Sequence, residues 1–213
     1  MSGRPSIGDG FPNYAGRVSW RAILQFDHER LSPNASTLFT AADGKNFLLV
    51  DVGEGNMFWS ASALSVDDFV HQRTTTPKTR VLERFADWAE PVGAIVEATL
   101  ADNIVERPIC DRPPLQCWSR GRVVLLGDAA HPVVPSLAQG ANMAFEDAYE
   151  LAACLSAASN IETALKAYEN SRIPRTAVIY DRSATQGYHS YQPDSETTLR
   201  EMMNSSQMSQ DEL

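Results

Sequence analysis

The stretch from Gly121 to Ala148 constrains this chain more than any other, because strand, turn and helix signals follow one another around one acidic residue. Arg122 to Leu126 is a short apolar, β-branched run, and Gly127-Asp128 ends it where small residues let another group approach the backbone. The pattern predicts a strand with Asp128 at its tip. Pro132 and Pro135 forbid a helix through the next segment, while Gly140 precedes a helical pattern with Met143, Ala144, Ala148, Leu151 and Leu155 on related faces. A helix N-terminus is thereby predicted to aim back toward Asp128.

A carboxylate at a strand tip can accept hydrogen bonds from sugar hydroxyls, and free N–H groups at a helix start favour an electron-rich acceptor. Together they suit a nucleotide-like cofactor. The residues Gly127-Asp-Ala-Ala-His-Pro132, Pro135, Gln139-Gly140 and Asn142 resemble the second flavin-binding motif of the FAD-dependent aromatic hydroxylases, roughly G-D-A-A-H-P-x-x-P-x-x-G-Q-G-x-N. Ala138 stands where the commonest form of that motif has the first Gly of G-Q-G, and Leu137-Ala-Gln-Gly-Ala141 is similar to the salicylate hydroxylase-like branch.

The resemblance implies a fold and a chemistry. The fold is α/β (α+β): part of a Rossmann-like FAD-binding domain, an antiparallel substrate-domain sheet, and C-terminal helices. FAD would be bound by Gly127, Asp128, Pro135, Gly140, Ala141 and Asn142. Asp128 would hold the ribityl chain, Pro135 would lie beside the reactive edge of the ring, and the N–H groups of Ala141 and Asn142 would face its pyrimidine end. His131 has two open readings, a turn histidine bonded to nearby backbone or a group beside the flavin. NADH or NADPH would reduce FAD, O2 would add to the flavin, and one oxygen atom would pass to a small aromatic substrate. An isoprenoid epoxidase of the zeaxanthin epoxidase kind is the alternative. No catalytic side chain and no metal ligand is assigned, because in such a family the cofactor carries the chemistry.

The rest of the chain agrees with that architecture. Val18, Trp20, Ala22, Leu24 and Phe26 alternate with Ser19, Arg21, Ile23 and Gln25, which predicts a half-buried strand over 17–26. Residues 38–41, 46–52 and 57–64 read as further strands of an antiparallel meander, with Asp43-Gly44 as a hairpin turn. Ser19-Trp-Arg21 is similar to the family's Trp-Arg-Gly strand, and Arg21 is the candidate substrate-binding residue. Thr76-Pro77 predicts an N-cap and first-turn proline for a helix that runs past Phe85 and Trp88 until Pro91 stops it. Asp111-Arg-Pro-Pro114 and Trp118 resemble the family's approach to the second flavin motif, which implies a loop that returns the chain to the parallel sheet. Ile161 to Arg182 predicts a second long helix with a proline kink. The domain reading is therefore 1–110 for the substrate domain, 111–187 for the C-terminal part of the FAD-binding domain, and 188–213 for a disordered tail.

One element of such a family has no counterpart in the sequence, a strand followed by G-x-G-x-x-G and a helix. The early glycines Gly3, Gly8 and Gly10 precede Phe11-Pro12 and read as a loose terminus. A fragment, a truncated form, a non-catalytic interaction module, and a chain completed by a separate N-terminal flavin-binding half all fit. A net charge of −9 argues against nucleic-acid partners. No apolar run is long enough to span a bilayer and no leader is recognisable, so no membrane partner is expected and the cytoplasm is the default location. Cys110, Cys117 and Cys154 form no C-x-x-C pair, and reduced structural thiols are expected.

Overall fold

The computed structural model describes residues 12–65 and 75–189, with backbone alone for 187–189. The predicted loose terminus and the tail from 190 onward lie outside the described residues. Backbone proximity divides the described residues into two compact units, one made of residues 16–109 and one of residues 110–189 together with residues 12–15.

The first unit is built on five strands, β1 (Asn13–Gln25), β2 (Ser36–Thr40), β3 (Asn46–Gly53), β4 (Asn56–Leu64) and β5 (Val105–Asp111), in the order β2-β3-β4-β1-β5. The pairs β2–β3, β3–β4 and β1–β4 are antiparallel, and Trp20 stands opposite Ala61. Gly44, at φ +78°, makes the turn between β2 and β3. The alternation of β1 is realised: Val18, Trp20 and Ala22 are buried, whereas Arg21 and Ile23 are exposed. Helices α1 (Pro77–Arg84) and α2 (Val92–Ala98) contribute Val81, Val92, Ile95 and Val96 to the same core as Phe47, Leu49 and Trp59. Phe47 stacks on Trp59 with ring centroids 5.3 Å apart, and Phe85 meets Phe47 edge-on at 5.5 Å. Both buried indoles of this unit find acceptors for their N–H groups. Trp20 donates to Glu106 at 2.6 Å and Trp59 to the Thr99 hydroxyl at 3.0 Å. Arg80 pairs with the same Glu106 carboxylate.

Thr76 caps α1 as its side chain predicts, accepting the Thr79 N–H at 3.2 Å. The predicted run of this helix toward Pro91 is corrected. The helix ends at Arg84, with the Phe85 N–H bonded to the carbonyls of Val81 and Leu82, and Pro91 begins the separate helix α2 behind a cis peptide. The turn brings Val92, Ile95 and Val96 onto the core; a continuous helix would carry them away from it.

The second unit contains a short hairpin, β6 (Ser119–Arg120) with β7 (Val123–Val124), and two long helices, α3 (Gly140–Ala157) and α4 (Ile161–His189). Trp118, Ala130 and Tyr168 form its core, with Leu125, Leu151 and Ile173 packed around them. The Tyr168 hydroxyl donates to the Leu125 carbonyl at 3.4 Å, and burial pushes this phenol well above its usual range. Glu169 of α4 turns inward and accepts the N–H groups of Trp118 and Ser119 at 2.7 and 2.6 Å. The helix carries Pro174 within it and runs to His189, past the predicted helix end at Arg182 and two residues into the tail expected from 188.

Two expectations are corrected in this unit. The run Arg122 to Leu126 forms only a two-residue strand, paired antiparallel with β6, with Val123 63% and Leu126 40% exposed, and it joins no parallel sheet among the described residues. A parallel strand needs a neighbour reached through a long crossover, and among the described residues β7 pairs only with the adjacent β6. Asp128 consequently sits not at a strand tip but within the 3-10 turn Gly127–Ala129. The inner face of α3 also differs. Met143 and Asp147 are buried, while Ala148 and Leu155 are exposed.

Candidate functional site

The site lies where the turn Gly127–Ala129, the turn Pro135–Leu137 and the first turn of α3 meet. Gly127 has φ +56°, a region that L-residues rarely enter, and a Cβ there would come within 3.2 Å of the Ala144 Cβ. The turn closes on itself, because the N–H groups of Ala130 and His131 both reach the Gly127 carbonyl at 2.9 Å.

Asp128 is exposed, and its carboxylate faces the start of α3: a Cβ placed on Gly140 would be 3.9 Å from Oδ1. The predicted convergence of an acidic residue on a helix N-terminus is therefore present. The turn Pro135–Leu137 leads into α3 through Ala138, which adopts the left-handed region at φ +54°, ψ +24°. Glycine at that position in the commonest form of the motif is explained by this backbone, which imposes a Cβ penalty on any L-residue. Gln139 occupies the N-cap without a side-chain hydrogen bond, and the first intrahelical bond runs from the Met143 N–H to the Gln139 carbonyl at 2.9 Å. The first-turn N–H groups, including those of Ala141 and Asn142, thus have no intrahelical partner. Both residues are exposed, as is Pro135.

Beneath this surface lies an ionic cluster that sequence reasoning missed. Asp147, on the buried face of α3, uses Oδ2 to accept the Gly127 N–H at 2.8 Å and to meet His131 Nε2 at 2.5 Å. Its Oδ1 accepts Arg172 Nε at 2.7 Å. Arg172 also donates to the Met143 carbonyl at 3.2 Å and to Glu146 at 2.7 Å, and Arg175 grips the outer side of Glu146 at 2.6 and 2.7 Å. Burial opposes ionisation of Asp147, but the hydrogen bonds from His131, Gly127 and Arg172 outweigh it and hold the carboxyl below its usual range. Arg175, helped by Arg172, holds Glu146 down at about 2. The His131 imidazole is bonded to a carboxylate, where the sequence had offered nearby backbone or the flavin side. The available signal was the position of Asp147, four residues after Met143 on the same helical face.

The second unit therefore brings together Gly127, Asp128, Pro135, Gly140, Ala141 and Asn142. Arg21 belongs to the first unit, exposed on β1. A solvent-facing carboxylate, a glycine turn packed closely on α3 at Ala144, and amides at a helix start form a donor and acceptor set that fits a sugar-bearing ring with an electron-rich edge.

A family model described as FAD binding domain matches residues 54–183, more than half of the chain. The chain belongs to this family. The proteins it is similar to include monooxygenases and structures solved with FAD. Aurachin C monooxygenase/isomerase of Stigmatella aurantiaca is 36% identical over 77% of this chain and 42% of its own length. Chloroplastic zeaxanthin epoxidase of Nicotiana plumbaginifolia is 40% identical over 78% of this chain and 26% of its own. Among solved structures, Klebsiella pneumoniae HpxO complexed with FAD and uric acid superposes with a TM-score of 0.79 at 27% identity, covering 91% of this chain and 49% of that one. The chain thus spans half or less of the length of these proteins. Among its described residues, no helix is long and apolar enough to cross a membrane.

Proposed function

We propose that this chain forms the ribityl and ring side of an FAD site in an enzyme that uses NADH or NADPH and O2 to hydroxylate a small aromatic substrate. The observation that carries the reading is the exposed Asp128 carboxylate set against the start of α3 at Gly140. Asp128 accepts a hydrogen bond from a ribityl hydroxyl. The first-turn N–H groups of Ala141 and Asn142 favour the electron-rich pyrimidine end of the ring, an interaction worth roughly 0.3 to 2 kcal/mol. Gly127 lets the turn pack against Ala144 of α3, Gly140 stands beside the Asp128 carboxylate, and Pro135 borders the reactive edge. Bound FAD supplies the redox chemistry, while the residues of the chain orient the ring and exclude water.

In this reading residues 1–110 are the substrate domain, residues 111–187 the C-terminal part of the FAD-binding domain, and Arg21 meets an anionic group of the substrate. A complementing half that carries G-x-G-x-x-G completes the site and covers the outer face of α3, where Phe145 and Tyr149 are 74% and 77% exposed. The cytoplasm suits such a protein. Support for a small aromatic substrate comes from the salicylate hydroxylase-like Leu137 to Ala141 and from the uric acid bound in HpxO. Epoxidation of an isoprenoid is the second reading, favoured by the identity with zeaxanthin epoxidase.

The test is the visible absorption of the purified chain after incubation with FAD and size exclusion, alone and with a separately expressed dinucleotide-binding half. Flavin retained by the wild type and lost in Asp128→Ala supports the site. Flavin retained in neither setting overturns it and leaves a non-catalytic interaction module. In a flavin-loaded preparation, NAD(P)H oxidation stimulated by phenols or aromatic carboxylates, and not by a carotenoid, separates the two substrate readings.

A further inference from the structure

We infer that Asp147 is a positioning residue: it holds the Gly127–His131 turn from below and thereby fixes where the Asp128 carboxylate points. The inference rests on the flavin-site reading only for what Asp128 faces; the clamp itself is read from geometry.

Asp128 has no neighbour within its own turn that could fix its direction except the backbone, and that backbone is at φ +56° at Gly127, a conformation glycine can readily leave. Beyond the two bonds that the Ala130 and His131 N–H groups make to the Gly127 carbonyl, its restraint comes from α3. One oxygen of Asp147 takes both the N–H that begins the turn, at Gly127, and the imidazole that ends it, at His131, so a single acceptor staples the two ends together. The other oxygen is occupied by Arg172 of α4, which is tied in turn to the Met143 carbonyl and to Glu146. Asp147 is fully buried, and His131 and Arg172 are 4% exposed, so the bonds are shielded from competing water. Met143 and Asp147 stand one helical turn apart, and the first turn of that same helix faces Asp128. The clamp therefore sets the turn and the helix start relative to each other.

The position demands a carboxylate. Gly127 and Arg172 present N–H donors to opposite oxygens, and an amide in the same place would turn its own NH2 toward one of them. The variant Asp147→Asn keeps shape and volume while breaking one side of the clamp. Glu146→Gln, which alters only the outer end of the Arg172 network, is the control.

The experiment follows amide hydrogen exchange residue by residue on the full chain, together with FAD titration. In Asp147→Asn the amides of Gly127, Ala130 and His131 are expected to exchange at least about tenfold faster than in the wild type, while amides in the second half of α4 stay within about twofold. Glu146→Gln leaves the turn amides as they are. Where the wild type binds FAD, Asp147→Asn weakens that binding at least about tenfold, as Asp128→Ala does. Unchanged turn amides in Asp147→Asn overturn the inference. So does an equal acceleration throughout α3 and α4, which would mark Asp147 as a general stability residue. A wild type that binds no FAD while its turn amides respond as described sinks the flavin-site reading and leaves the clamp standing.

Discussion

Replacing Ala138 by glycine should make the protein more stable, an outcome opposite to the usual effect of introducing glycine. Ala138 is exposed and sits at φ +54°, ψ +24°, between the turn Pro135–Leu137 and the N-cap of α3. Its methyl group makes little buried contact, so truncation sacrifices almost no packing. An L-residue in the left-handed region carries a penalty of about 1 to 2 kcal/mol. Glycine removes that penalty but adds unfolded-state entropy, which opposes the gain by about 0.4 to 1 kcal/mol. The net expectation is a stabilisation of about 0.5 to 1 kcal/mol, or an increase of roughly 1 to 4 °C in the melting temperature for a chain of this length. Urea unfolding followed by circular dichroism, with calorimetry alongside, measures both quantities. A series sharpens the test: Ala138→Asn should equal or slightly exceed the wild type, since Asn tolerates this region, and Ala138→Val should fall below it, since β-branched residues do not. A Gly variant with an unchanged or lower urea midpoint, or a Val variant as stable as the wild type, would refute the conformational argument.

Other expectations follow from the charged clusters. The folded pKa of Glu146 is lowered from the usual 4.5 to about 2 by Arg175 and Arg172, so its contribution is fully present above the unfolded value and is lost as pH falls through the interval from 4.5 to about 2. Its side chain is 36% exposed, so solvent screening keeps that contribution near the scale of a surface pair, at most about 1 kcal/mol. An acid titration of Glu146→Gln should show a correspondingly shallower decline over that interval, and a profile parallel to the wild type would count against the pairing. Glu106→Ala strips buried Trp20 of its acceptor and Arg80 of its partner, and should destabilise the first unit by about 3 to 5 kcal/mol in chemical denaturation. A loss below about 1 kcal/mol would show that water or another acceptor replaces the carboxylate.

What was legible in the sequence was the chemistry that acts over a few residues. The alternation of β1, the Thr76 cap and the glycine at the head of α3 each state a local requirement, and each is met. Where α1 ends was not legible, because the turn after Arg84 is imposed by the burial of Val92, Ile95 and Val96 on a core assembled from distant strands. The apolar run Arg122 to Leu126 announced a strand reaching to Asp128, but a pattern records the wish for neighbours and not their presence; among the described residues β7 has only β6. In the candidate site, Asp128 and the helix start could be read because they belong to one contiguous motif. Asp147 could not, since a charged residue on a helix ordinarily marks the solvent face, and its partner Arg172 lies 25 residues further along the chain.

The inward turn of Glu169 bears on how the small hairpin can grow. A strand edge recruits another strand by offering unanswered amides, and this carboxylate already answers those of Trp118 and Ser119. It behaves as a false neighbour, closing the β6 border to addition. Extension of the hairpin is thereby directed to the opposite border, along β7, where Val123 and Leu126 offer apolar surface beside the turn that carries Asp128. A single side chain from a helix thus gives a two-stranded ribbon a polarity, with one sealed margin and one receptive margin.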